Sequence, residues 1–178
     1  DLSGIGKAPA RLDFKKMENI NRHQIGMSDS ETMLRDVQNY LAAVGEQALP
    51  EDKAKAFANA FDRLDVSDKT VGDLLAKFAF VLDEPPFTLV EKAAKLLDPV
   101  SRSILKQLTP HLQTASWNRE ALEQTVMEFA EAQDLKFGKL AGPLRVVLSG
   151  RAVSPSVFDM MIIIGRDETL ERLAAIAS

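Results

Sequence analysis

The sequence predicts an all-α protein of about ten helices in two consecutive helical-bundle subdomains. Three observations carry that prediction. Apolar residues recur at spacings of three and four, as in Met33, Leu34, Val37, Tyr40, Leu41 and Val44. β-Branched residues nowhere alternate with polar ones over a useful length, so strand signals are weak. Helix punctuation by caps, first-turn acids, prolines and glycines is dense along all 178 residues.

In chain order, LDFKKMENINRHQIG places Leu12, Phe14, Met17, Ile20 and Ile25 at roughly helical spacing, with Gly26 as the stop. Ser28 and Glu31 read as a capping box for the helix carrying Met33 to Val44, which ends at Gly45. Pro50 opens EDKAKAFANAFDRL, whose first-turn acids suit the helix dipole. DVSDKT at 65–70 is a polar turn, and VGDLLAKFAFVL is a short, strongly apolar helix. DEPP at 83–86 is the best internal boundary, because a residue before proline avoids helical geometry. Residues 27–83 are therefore expected to form the first subdomain and 84–178 the second.

Beyond that boundary FTLVEKAAKLL reads as helical. Asp98 and Pro99 are a cap and a first-turn proline for VSRSILKQLTPHL, in which Pro110 suggests a kink or early stop. Asn118 caps REALEQTVMEFAEAQ. Gly138 and Gly142 frame a short stretch, and Pro143 starts the helix LRVVLSG. Ser154 and Pro155 start SVFDMMIII, Gly165 closes it, and Asp167 caps the last helix, ETLERLAAIA. Within SVFDMMIII, the MMIII stripe reads as core.

An apolar content of 46% and a charged content of 27% fit a soluble globular protein. Cysteine is absent, which removes disulfides and thiolate metal sites and fits a reducing compartment. No apolar run is long enough to span a bilayer, and no signal-peptide pattern is present, so no membrane partner is expected. The sequence opens on Asp1 rather than a methionine, and no helix cap precedes DLSGIGKAPARLDF, so a piece of a longer chain is expected.

The net charge of −4 argues against a DNA-coating protein, which is usually basic. Cations nevertheless gather at the ends. Lys7, Arg11, Lys15, Lys16 and Arg22 lie near the start, and Lys136, Lys139, Arg145, Arg151, Arg166 and Arg172 lie near the end. Solvated helix faces are the plain alternative for these charges. No phosphate-loop, dinucleotide, zinc-protease or nucleophile-elbow motif occurs. His23 and His111 are the only histidines, so neither a metal site nor an independent catalytic centre is indicated.

Arg145 raises a sharper question. It sits in the apolar run of PLRVVLSGRAVSP, residues 143–155, with Arg151 just beyond. A buried arginine is costly unless something negative or hydrogen-bonding meets it. The block FGKLAGPLRVVLSGRAVSPSVFDMMIIIGRDETLERLAAI resembles the C-terminal block of bacterial glutamyl-tRNA synthetases. Its matching features are Gly138, Pro143-Leu144-Arg145, Leu148-Ser149-Gly150, Ser154-Pro155, Gly165, Glu168-Thr169-Leu170 and Arg172-Leu173. APARLDFKKMENINRHQI resembles the segment after that family's catalytic domain, with Asn21 at the matching asparagine. Trp117 ahead of REALEQTVMEFAEAQDLKFG is a looser third match.

The family's HIGH-type motif and lysine-serine loop are not in this sequence. The resemblance therefore implies the anticodon-binding region of a glutamate–tRNA ligase, with residues 1–26 connecting to an absent catalytic domain. It implies a cytoplasmic, monomeric tRNA binder that is not catalytic alone. ATP and magnesium would serve the catalytic domain, and no cofactor is expected in this chain. A helical protein-interaction scaffold and a freestanding tRNA-binding module are the rival readings.

The resemblance also implies that Arg145 reads an anticodon base. As a first-turn residue after Pro143 it would sit where unpaired backbone N–H groups attract anions. Its planar fork bonds two acceptors on one base edge, and splayed anticodon bases expose such edges. The alternative is an ion pair with a carboxylate such as Asp159. Arg151 would meet the sugar–phosphate backbone or pair on the surface. Lys136 and Lys139 are phosphate contacts or solvated lysines. Phe137 and Trp117 stack on bases or, as is commoner, pack into the core. Some family members carry an arginine in the turn matching DVSDKT that favours the third anticodon base of glutamate tRNA. Here Ser67 stands there, with Lys69 and Arg63 as the nearest cations. A hydroxyl both donates and accepts, so the expectation is tolerance of glutamate and glutamine tRNAs, or preference for the latter.

Overall fold

The computed structural model describes residues 13–175. Lys7, Arg11 and the first residues of APARLDF lie outside the described residues. Within them are eleven helices and no strand. The helices are α1 (Phe14–Met27), α2 (Ser30–Ala43), α3 (Glu51–Phe61), α4 (Val71–Lys77), α5 (Ala79–Leu82) and α6 (Glu91–Ala94). They continue with α7 (Pro99–Thr114), α8 (Arg119–Ala132), α9 (Gly138–Ser149), α10 (Val157–Ile164) and α11 (Arg166–Ala175).

Several boundaries differ from the sequence expectation, each for a local reason. Asp29 rather than Ser28 caps α2, accepting from Thr32 N at 2.7 Å. The Ser28 hydroxyl instead donates back to Gln24 O at 2.8 Å and closes α1. VGDLLAKFAFVL breaks into α4 and α5 at Phe78. Residues two apart on one helix point to nearly opposite sides. The break lets both Phe78 and Phe80 enter the core, where their rings stack with centroids 6.3 Å apart. FTLVEKAAKLL contributes only the four residues of α6. Asp167 lies in the first turn of α11 rather than capping it.

Both internal prolines are carried inside helices. Pro110 lies within α7, whose buried Leu105, Leu108 and Leu112 continue across it to Thr114. Pro143 lies within α9 and does not start it. A proline in a helix forfeits one backbone hydrogen bond. Here Leu140, Ala141, Leu144, Val147 and Leu148 form a buried stripe on both sides of Pro143, and that packing holds the helix together. Arg145 is therefore an interior residue of α9, with no free N–H groups beside it.

In the C-terminal half α7 packs against α8, α9 and α11, while α10 packs against α8, α9 and α11. In the N-terminal half α3 packs on α2 and α5. The rings of Phe57, Phe61 and Phe78 cluster there at 5.1–6.3 Å. The junction between halves is made by α5 against α9, and one buried apolar cluster runs across residues 83–86. The stripe MMIII grades outward, with Met160 and Met161 fully buried and Ile162 to Ile164 packed at the edge of the core.

Candidate nucleic-acid interface

A groove of about 900 Å³ opens at this junction. Three segments line it: Asp68, Asp73 and Lys77 of the 65–70 turn and α4, residues 83–92, and the turn 149–155 after α9. The last turn is built from α9 outward. Gly150 closes the helix with a left-handed backbone, φ +68°, and donates to Val146 O at 2.7 Å. A Cβ there would lie 2.6 Å from Phe87 Cβ, so only glycine fits on both counts.

Arg145 holds both ends of this turn. Its carbonyl accepts from Ser149 Oγ at 2.8 Å, and Ser149 Oγ accepts from Arg151 N at 3.3 Å. Its Nε donates to Ser154 Oγ at 3.1 Å, and that hydroxyl donates to Pro155 O at 3.0 Å. Ser154 lines the groove. Among the described residues, the two terminal amino groups of Arg145 have no protein partner. Asp159 is not its counter-ion, because Asp159 pairs with Arg119. The Ser154 hydroxyl serves Arg145 and so does not start α10.

The remaining expected residues are placed unevenly. Arg151 lines the groove and pairs with Asp83 at 3.2 Å, both side chains about half exposed. Ser67 is exposed beside Asp68, which pairs with Lys77 at 3.0 Å. Lys69 turns away to Glu18 of α1 at 2.8 Å. Lys136 and Lys139 are exposed at the start of α9 and do not line the groove. The Lys139 charge acts on Asp98 at the start of α7. Phe137 stacks on Phe158 with centroids 5.8 Å apart. Trp117 is half-buried, donates to Met161 O at 3.2 Å and lies under the Arg166 guanidinium at 5.3 Å. Both aromatics are thus packed into the protein.

Arg172, which the sequence marks only as one of the C-terminal cations and part of the family match, is the most buried arginine of the described residues, at 6% exposure. It donates to Glu168 Oε1 at 2.6 Å, to Phe80 O at 2.9 Å and to Leu148 O. Its sequence signal is the apolar face of α11, where Thr169, Arg172 and Leu173 share one side. No group of three or more histidine, aspartate or glutamate side chains is placed to hold a metal among the described residues. No described helix is long and apolar enough to cross a membrane.

The family model of the anticodon binding domain matches residues 32–177, which includes every segment lining this groove. The chain belongs to the anticodon binding domain family. It is 50% identical over 178 residues to a glutamate–tRNA ligase 1 of Jannaschia sp., covering 100% of this chain and 38% of that protein. A glutamate–tRNA ligase 2 of Cereibacter sphaeroides is 50% identical over 97% of this chain and 37% of its own length. The crystal structure of a glutamate tRNA ligase from Elizabethkingia meningosepticum, in complex with its amino acid, superposes with a TM-score of 0.71 at 26% identity. That match covers 99% of this chain and 34% of the other. This anticodon binding domain chain thus spans between about a third and two fifths of the ligases it matches.

Proposed function

We propose that this chain reads the anticodon of glutamate tRNA as the anticodon-binding part of a glutamate–tRNA ligase. The observation that carries the reading is Arg145, whose Nε is tethered to the groove-lining Ser154 while its two terminal amino groups have no protein partner among the described residues. A guanidinium held at one nitrogen has lost much of its rotational freedom and still offers paired donors to a base edge. This replaces the helix-start argument, since Arg145 lies inside α9.

Arg151 serves the sugar–phosphate backbone once it exchanges Asp83 for a phosphate, a small loss because the pair is solvent-exposed. Lys136 and Lys139 offer further phosphate contacts outside the groove. Ser67 meets the third anticodon base, with Lys69 joining it once it leaves Glu18, and the serine leaves glutamine tRNA an acceptable second partner. Residues 27–83 and 84–178 act as two subdomains that present the opposing turns, with 1–26 leading to a catalytic domain. The protein works as a cytoplasmic monomer and does not bind DNA. ATP and magnesium act elsewhere in the ligase, in its catalytic domain.

The test is a salt titration of binding to glutamate and glutamine tRNAs, with Arg145→Ala alongside. Binding is expected to weaken steeply with salt, as released counterions require. Arg145→Ala is expected to cost about 1–3 kcal/mol. Absence of any salt-sensitive tRNA binding would reject the reading and favour a protein-interaction scaffold.

A further inference from the structure

Arg172 ties together the ends of two helices from inside the protein, while the exposed Arg151–Asp83 pair joins the same two ends at the surface. Phe80 belongs to the short α5, which leads into residues 83–90, and Leu148 belongs to the last turn of α9. Carbonyls in the last turn of a helix lack intrahelical partners and carry the negative end of its dipole. One buried guanidinium satisfies a carbonyl from each. Glu168, one turn earlier on α11, neutralises and orients it at 2.6 Å. The same guanidinium lies 5.3 Å over the Phe87 ring, and Phe87 packs directly against Gly150.

The two segments that leave these helix ends are two of the three that line the groove. Five donors in one plane can bond several acceptors at fixed angles, which a lysine cannot do. We propose that Arg172 is a positioning residue for anticodon recognition, setting the spacing between the 83–90 segment and the 149–155 turn and hence the placement of Arg145 and Arg151. It touches no RNA itself. This rests on the anticodon-reading function proposed above, but its geometric half can be tested without RNA.

The chain has no cysteine, so paired Thr88→Cys and Val153→Cys substitutions on the two exposed groove segments accept spin labels cleanly. Label-to-label distances are compared with Arg172 present and in Arg172→Lys. In parallel, tRNA binding is measured with the glutamate anticodon and with single-base anticodon changes. The expected result is a broadened or shifted distance in Arg172→Lys. Discrimination between anticodons should fall about tenfold, while the salt slope falls by no more than the single phosphate contact of Arg151. An unchanged distance distribution overturns the proposal. So does a changed distance with unchanged discrimination. If the chain with Arg172 intact shows no anticodon preference, the functional reading fails, and the distance measurement still judges the clamp. Should Arg172→Lys lose its helical circular dichroism, Glu168→Gln loosens the same guanidinium without removing it, and the same two readouts apply.

Discussion

Lys69 is paired with Glu18 at 2.8 Å, so the turn between α3 and α4 is tied to α1. Gly26 strengthens the tie, since a Cβ there would come within 3.3 Å of Val66 O. The lysine expected to face RNA is therefore held by a carboxylate in the free protein. Glu18→Ala removes that carboxylate and frees the ammonium. Both partners are nearly half exposed, so the substitution should change stability by less than about 1 kcal/mol. Affinity for tRNA should rise by about two- to fivefold, with a steeper salt dependence from one added phosphate contact. Equal affinity and slope in a salt titration would place Lys69 out of reach of the RNA.

Gly150 carries two constraints at once, a left-handed backbone and contact with Phe87. An alanine must accept φ +68° and displace a ring whose Cβ is 2.6 Å away. The backbone part alone costs about 1–2 kcal/mol, and the clash adds to it. Gly150→Ala should therefore lower stability by at least about 2 kcal/mol in urea unfolding. In a Phe87→Ala background the same change should cost less, because the clash is gone. Equal costs in the two backgrounds would show that Phe87 yields freely.

Much of this architecture was legible from local chemistry. The caps at Asp98 and Asn118 and the acids after Pro50 stand where the sequence placed them. What escaped was set by tertiary packing. A proline is locally a helix breaker, yet Pro143 is embedded in α9 because the buried stripe from Leu140 to Leu148 outweighs one lost hydrogen bond. That shift moved Arg145 from a helix start to a helix interior. Its hydrogen-bond partner is the hydroxyl of Ser154, which the sequence marks as the start of the next helix. Arg172 was hidden for a different reason: its partners Phe80 and Leu148 are 92 and 24 residues away and are backbone carbonyls, which no side-chain pattern marks.

Asp98 offers a test in acid. Its carboxylate accepts from Ser101 N at 2.7 Å, and this bond, ahead of the Lys139 charge, holds its pKa below the usual 3.8. A carboxyl whose folded pKa is depressed adds stability that is present above its unfolded pKa. That stability fades as pH falls through the folded pKa. Asp98→Ala should therefore lower the melting temperature at neutral pH, and the gap to the unaltered protein should narrow below about pH 3.8. Asp98→Asn keeps a capping oxygen without the charge, so its melting temperature should not show this acid-dependent component. A gap for Asp98→Ala that stays constant into acid would mean that the cap stabilises the helix without help from its charge.

Trp117 is the single tryptophan, and its environment decides between packing and base stacking. The ring is half-buried, its Nε1–H is spent on Met161 O, and Arg166 covers it. Arg166 is itself anchored to Gln113 O at 3.2 Å and Ala115 O at 2.7 Å, so this cover is fixed to the end of α7. A base could stack there only after Arg166 gave up those bonds. Trp117→Phe keeps a ring in the site but loses the hydrogen bond to Met161 O. It should lower stability by about 1 kcal/mol and leave tRNA affinity unchanged. Tryptophan fluorescence should accordingly shift on unfolding and stay constant on titration with tRNA. A loss of tRNA binding in Trp117→Phe, or quenching by tRNA in the parent chain, would move Trp117 from the core to the RNA interface.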